Sequence, residues 1–310
     1  MTKYLLAAAL LTTTALSAQE GPTTQTLVAF DSRATVKPTP QDVTLKVDNR
    51  QTPLTSLTAV PPTGVQVALL IDDGLRSSVG RELNNLKTFV SNLPPGVEIL
   101  IGYMQNGRVA PATQGFTSNH AAAATTIRIP LGSPGLSASP YFCLSDMIKS
   151  WPGAVESEDV GASSPNRKAR IVLMITNGVD PYNGSTNITN QNSPYVDTAI
   201  RDAQRAGIPV YSIYFTDAGI GGQSASFSGQ SYLQQVADGT GGVAYYQGLG
   251  NPVSMAPFLK QFQRALAETY IATFTSPDSK DLVRIKLSTS LPGTKVQAPD
   301  QVRPGTRITQ

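Results

Sequence analysis

A chain with one histidine, His120, and one cysteine, Cys143, has few routes to chemistry. A zinc centre draws on several Cys or His ligands, and this chain offers one of each. A serine hydrolase would have to route its proton through His120. The nucleophile-elbow pattern Gly-x-Ser-x-Gly is nearly met twice, at GLSAS (135–139) and GQSAS (222–226), each with Ser in place of the last Gly. Neither follows a strong strand directly. No G-x-x-x-x-G-K loop occurs, and no G-x-G-x-x-G follows a strand, so nucleotide cofactors lack their usual cradle. GIGG, GTGG and GLGN read as turns. Asp72 and Asp73 form a carboxylate pair that could do acid-base work, but adjacency alone is a weak signal. Taken together, these residues predict a protein that is not an enzyme and uses no cofactor. Cys143, between Phe142 and Leu144, reads as a buried, inert thiol, and a lone cysteine excludes an internal disulfide.

Composition narrows the partner classes. Hydrophobic residues make up 40% of the 310 and charged residues 15%, which supports a sizeable core. The formal charge is +3. No basic run or aromatic-basic interleaving accompanies it, which argues against nucleic acid as a partner. The start, MTKYLLAAALLTTTALSAQE, has a lysine, an apolar stretch and small residues at Ala15, Ser17 and Ala18. This pattern predicts a secretory leader cleaved after Ser17 or Ala18. No later stretch approaches the ~18 apolar residues of a membrane span. The expectation is an exported protein, periplasmic or extracellular, with no membrane span in the mature chain.

The elements that must position any site follow from hydrophobic periodicity. VQVALLI from Val65, VEILIGY from Val97, ARIVLMI from Ala169 and VYSIYF from Val210 are near-continuous apolar runs, as in strands buried on both faces. Helical spacing appears between them, with Leu83, Leu86 and Val90, then Val196, Ala199, Ile200 and Ala203, then Phe258, Leu259, Phe262, Ala265 and Leu266. A short helix is predicted over 117–126, capped by Thr117 or Ser118, another over 143–150, and another near YLQQVA (232–237), after a loop over 217–230. Strand and helix alternate, so the fold class is α/β: a doubly wound, mostly parallel, Rossmann-like sheet with helices on both faces. The ends differ. Val43, Leu45 and Val47 alternate with polar residues, as do Val283, Ile285 and Leu287. Residues 26–60 and 270–300 are therefore expected side by side, as a small β unit built from the two termini. The predicted divisions are a leader (1–18), an N-terminal β segment (19–62), an α/β domain (65–272) and a C-terminal β segment (273–310).

Doubly wound sheets bind ligands outside the carboxyl ends of their strands. Three polar, glycine-containing segments fall there: Asp72-Asp73-Gly74, the loop from Ser133 to Tyr141 that includes Ser139, and Thr176-Asn177-Gly178. The Asn- and Ser-rich loop 177–192 adds Asp180, Tyr182 and Asn183. These form the predicted partner-binding rim.

LLIDDGLRSS, VLMITNG and QQVADGTGGVAYY, in this order and spacing, resemble the von Willebrand factor A (VWA) family. LVAFDSRATVKPTPQDVTLKVDNRQTPLTSL before them and YIATFTSPDSKDLVRIKLSTSLPG after them resemble a bacterial exported subgroup, the acidobacterial VWA-related type. The resemblance covers roughly residues 26 to 300 and implies a VWA-like fold. It also implies protein–protein interaction through a metal-ion-dependent adhesion site (MIDAS). That site's signature is Asp-x-Ser-x-Ser with a Thr and an Asp from two other loops, holding Mg²⁺. Here Asp72 matches, Gly74 and Arg76 stand at the two Ser positions, and Asn177 stands where the family has Asp. The resemblance therefore implies a degenerate MIDAS at Asp72, Gly74, Arg76 and Asn177 that holds no metal. Arg76 is expected either to point inward and pair with Asp72 or Asp73 in place of the ion, or to point to solvent; both leave the site without metal. The leading expectation is an exported, non-catalytic protein whose rim binds an unknown protein or envelope component. A structural scaffold in a cell-envelope assembly, touching its neighbours through the terminal β unit, is the alternative, and an unrecognised hydrolase the third reading.

Overall fold

The computed structural model describes residues 21–133, 135–153, 167–183, 192–215, 222–246, 254–277 and 280–308, without the side chains of 183 and 222–226. The predicted leader and residues 184–191 of the long loop lie outside the described residues. Four antiparallel strands come first: β1 (Thr23–Ser32), β2 (Val43–Val47), β3 (Arg50–Thr52) and β4 (Leu54–Ala59). The alternating α/β part follows. It comprises β5 (Val65–Asp72), α1 (Leu83–Ser91), β6 (Glu98–Gln105), β7 (Arg108–Pro111), α2 (His120–Thr125), α3 (Pro140–Lys149), β8 (Ala169–Thr176), α4 (Pro194–Ala206), β9 (Val210–Tyr214), α5 (Gly222–Thr240), β10 (Ala244–Tyr245) and α6 (Ala256–Ala267). The chain closes with β11 (Thr269–Thr275), β12 (Val283–Thr289), β13 (Thr294–Gln297) and β14 (Gln301–Val302).

The six-stranded sheet runs β10-β9-β8-β5-β6-β7 and is parallel except for β7. From β5 the chain fills one side with β6 and β7, then crosses to β8 and the other side. The order therefore reverses between β5 and β8, which is the topological switch point of a doubly wound sheet. Period-two alternation splits each central strand between two cores. Val67, Leu69 and Ile71 of β5, with Ile171, Leu173 and Ile175 of β8, face α1, α2 and α6. Ala68 and Leu70, with Val172 and Met174, face α3, α4 and α5. Each of these large side chains is at most 1% exposed, a burial that stabilises by about 1.5–3 kcal/mol apiece. Among the described residues, no helix is long and apolar enough to cross a membrane.

The terminal segments pair as their half-exposed pattern requires. One sheet runs β13-β1-β11-β4 and another β14-β12-β2-β3, each mixing strands from both ends of the chain. Leu27 and Ile271 of the first reach into the core beneath α1 and α6 and weld the unit to the larger sheet.

Three local expectations need correction. Helix α2 starts later than predicted, because Asn119 rather than Thr117 or Ser118 caps it by accepting the Ala122 N–H at 3.1 Å. Helix α3 starts earlier, at Pro140 rather than at 143, because Ser139 caps it and proline suits a first helical turn. The Gly/Ser-rich stretch expected as loop to residue 230 is helical from Gly222. Its glycine has a packing reason: a Cβ on Gly229 would sit 2.2 Å from the Asn177 carbonyl oxygen. A low-propensity residue is kept there so that helix and loop backbones can touch. Cys143 is buried, and burial pushes its thiol up to about 12, in keeping with an inert role.

Candidate functional site

Strand β5 delivers two carboxylates to the switch point, and both are buried: Asp72 is 3% exposed and Asp73 0%. Their surroundings differ. Asp72 Oδ1 accepts the Gly74 N–H at 2.9 Å, and Oδ2 accepts the Thr176 hydroxyl at 2.7 Å. The Ser137 hydroxyl is a third donor. All three donors are neutral. Burial raises the Asp72 pKa and these hydrogen bonds offset only part of that rise, with Asp73 adding repulsion. Thr176 also accepts the Gly178 N–H at 3.1 Å, so the tip of β8 is tied to the tip of β5.

Asp73 has a cation. Arg128 grips it with two parallel bonds, Nη1 to Oδ1 at 2.7 Å and Nη2 to Oδ2 at 2.8 Å. The Leu131 N–H donates to Oδ1 at 2.8 Å, and the Gln105 amide to Oδ2. Burial alone would raise Asp73, but the Arg128 pair and these two donors outweigh it and hold its pKa low. The guanidinium also lies 3.8 Å from the centre of the Tyr103 ring. Arg128, rather than Arg76, is therefore the cation on this carboxylate pair. Arg76 is exposed and flanks the first turn of the 3₁₀ segment Ser77–Glu82. Nothing near Arg128 in sequence marks it as a site residue. It reaches Asp73 only when the loop after α2 folds over the end of β5.

The structure brings Asp72, Asp73, Thr176 and Asn177 to one edge, as expected. A cleft of about 10 Å³, room for one water-sized sphere, opens there between Asp72, Gly74, Ser137 and Asn177. Ser139 is not on the rim. It is fully buried and caps α3, accepting the Tyr141 N–H at 3.3 Å. Ser137, two residues earlier, is the hydroxyl that meets Asp72. Asp180 is also fully buried; its Oδ2 accepts the Ser193 hydroxyl at 2.8 Å and its Oδ1 the Tyr182 N–H at 3.2 Å. These two bonds fasten the loop to the start of α4. Tyr182 is 61% exposed and leans on the Phe142 ring, with centroids 5.3 Å apart. The side chain of Asn183 lies outside the described residues.

Around this polar centre lies an apolar margin. Among the described residues the exposed large hydrophobic side chains are Ile129, Leu131, Tyr182, Phe227 and Tyr246. Ile129 and Leu131 sit on the loop pinned to Asp73. Tyr182 follows β8, Phe227 lies in the first half of α5 after β9, and Tyr246 follows β10. All five stand at the carboxyl edge. His120 stands at the other edge, its Nε2 within 2.7 Å of the carbonyl of Val97, the residue that precedes β6. The eight-residue strand β6 separates the two edges by roughly 25 Å.

No protein-family model matches the chain, and no curated protein matches its sequence. Solved structures similar to it include a von Willebrand factor type A protein from Catenulispora acidiphila, at 10% identity over 91% of this chain and 73% of that one, with a TM-score of 0.41. The ArnB paralog VWA2 from Sulfolobus acidocaldarius is similar at 11% identity over 89% and 77%, with a TM-score of 0.40. Proximal thread matrix protein 1 from the mussel byssus is similar at 15% identity over 68% and 48%, with a TM-score of 0.40, so the chain spans about half of that protein's length. The strand order, rather than these likenesses, assigns the doubly wound fold.

Proposed function

We propose that this chain is an exported, non-catalytic VWA-like protein that binds another macromolecule through its carboxyl rim without a metal ion. The observation that carries the reading is the clustering of Ile129, Leu131, Tyr182, Phe227 and Tyr246 on that one edge. Exposed hydrophobic side chains gathered on a single surface and interspersed with polar loops are what a protein interface needs. The donors at Asp72 do not fit Mg²⁺, which demands near-octahedral oxygen ligands. One carboxylate and the Ser137 hydroxyl line the cleft, the carboxylate oxygens are already engaged, Gly74 has no side-chain oxygen, and Asn177 Oδ1 accepts the Val179 N–H at 2.9 Å. The degenerate site is then a hydrogen-bonded support for the rim loops. The separation of His120 from the rim supports the non-catalytic reading, and the leader-like start of the sequence supports export.

A second reading, the envelope scaffold, rests on the outer face of the small sheet. Lys46 and Lys286 stand directly opposite each other on β2 and β12 with Arg284 two residues away, a like-charge arrangement that favours an acidic neighbour. Capture from envelope extracts separates the readings. The full chain, a triple variant Ile129→Ser, Leu131→Ser, Tyr182→Ser, and a variant Lys46→Glu, Lys286→Glu would be used side by side. Rim binding predicts at least about tenfold loss for the triple variant, given the burial each side chain forfeits. Loss confined to the Lys46 and Lys286 variant would favour the scaffold.

A further inference from the structure

A second cavity, of about 250 Å³, lies away from the rim, where the small β unit meets the β10 edge of the large sheet. Its walls come from the end of β1, from β13, from β9 and β10, and from the last turns of α6. Two tyrosines line it. Tyr211 is 2% exposed and Tyr245 7%, and their rings stack with centroids 6.4 Å apart. Buried tyrosine hydroxyls normally find a partner. Among the described residues neither hydroxyl makes a hydrogen bond, and neither is among the polar atoms sealed from solvent without one. Both hydroxyls therefore keep access to the solvent-filled cavity and are available to a ligand there.

The same walls carry charge of both signs. Asp31 and Glu268 supply two carboxylates and Arg264 a guanidinium, and none of the three forms an ion pair within 4.0 Å among the described residues. The Phe30 N–H donates to the Glu268 carbonyl at 3.1 Å, which places Asp31 beside Glu268. Arg264 stands one helical turn before Glu268 on α6. Asp31 and Arg264 are exposed at the mouth, Glu268 is half-buried, and the two tyrosines form the inner wall, so groups of both signs and two phenols face one space. A molecule bearing both a carboxylate and an ammonium group would satisfy all of them.

We propose that this cavity binds a small zwitterion of free amino-acid type. Arg264 takes its carboxylate in the fork geometry that guanidinium favours. Asp31 and Glu268 take its ammonium group. The Tyr211 and Tyr245 hydroxyls and the Gln297 amide take its remaining polar edges. Burial raises the Glu268 pKa, Arg264 offsets part of that rise and Asp31 adds to it, so a further cation between the two carboxylates is favoured. The volume admits one such molecule and excludes a folded peptide.

Calorimetric titration of the full chain with a panel of free amino acids is the test. Alongside it run the matching decarboxylated amines, the matching acids without the amino group, and a blocked peptide carrying the same side chain. The expected result is one-site binding of at least one amino acid. The amine, the acid and the blocked peptide should each bind about tenfold or more weakly, and so should the amino acid to Arg264→Gln and Glu268→Gln. Tyr211→Phe, which keeps the ring and the packing, should weaken binding several-fold. The rim variant used for partner capture should bind the amino acid unchanged, so this site and the rim can fail separately. Absence of binding by every amino acid at millimolar concentration would overturn the proposal. So would equal affinity for the amine or the acid, or affinity unaltered in both charge variants.

Discussion

Asp72 and Asp73 are adjacent in sequence and both nearly inaccessible to solvent, yet they anchor two differently built regions of the rim. On the Asp73 side a guanidinium neutralises the charge, and the carboxylate acts as a clamp for the loop carrying Ile129 and Leu131. On the Asp72 side three neutral donors hold a carboxylate whose pKa is raised by burial. Asp72 lies deeper and loses more hydration than Asp73, and only Asp73 has a cation; both differences push the two apart. A compensated buried charge fastens structure; an uncompensated one is kept only because hydroxyls and amides surround it.

The contact that holds the Asp72 side in place should show the largest effect if broken. Gly229→Ala pushes a Cβ to 2.2 Å from the Asn177 carbonyl and should destabilise by about 2–3 kcal/mol. Gly239→Ala, in the same helix, meets only the flexible Ile200 side chain at 2.8 Å and should cost less than 1 kcal/mol, roughly offset by its helix propensity. Chemical denaturation of the pair checks this. Equal losses would mean that the Gly229 contact holds nothing special.

Next in size is the clamp itself. Arg128→Met should cost about 2 kcal/mol, less than a fully buried pair because the arginine side chain is 42% exposed. Asp73→Asn should also destabilise at neutral pH. The Asp73 pKa is lowered on folding, so its contribution is present above the ordinary value of 3.8 and is lost as pH falls through the lower folded value. Asp72→Asn should differ by less than about 1 kcal/mol at pH 7, because the amide can still bond Gly74 and Thr176. The Asp72 pKa is raised on folding. Its contribution is therefore present below 3.8 and is lost as pH rises through the folded value, so at neutral pH the asparagine forfeits no charge stabilisation. Stability curves from pH 3 to 8 that run parallel for the two Asn variants would erase the contrast.

Much of this architecture is legible in the amino-acid sequence because it depends on local rules. Apolar runs such as VQVALLI mark strands covered on both faces, and the alternation in Val43–Val47 and Val283–Thr289 marks strands with one wet face. The edge bearing Asp72 and Thr176 then follows from topology. What the sequence hides depends on long-range contact. Arg128 lies 55 residues from the carboxylate it clamps. Ser137 and Ser139 look alike in sequence, yet one meets Asp72 and the other caps α3. Gly229 reads as a loop residue because its purpose, close approach to Asn177, is visible only after the chains meet. Tyr211 and Tyr245 read as ordinary core residues until the seam between the two sheets opens a cavity beside them.

The central claim, that the rim works without a metal, is tested most directly by titrating Mg²⁺ and Mn²⁺ into the full chain by calorimetry. The Asp72→Ala variant and the oxygen-restoring double variant Gly74→Ser, Arg76→Ser would be titrated in parallel. The account predicts no binding tighter than about millimolar for the unmodified chain, because a single carboxylate whose two oxygens already accept hydrogen bonds offers a dication too little free negative charge, even with waters filling the octahedron. Micromolar binding to the unmodified chain that disappears in Asp72→Ala would contradict it.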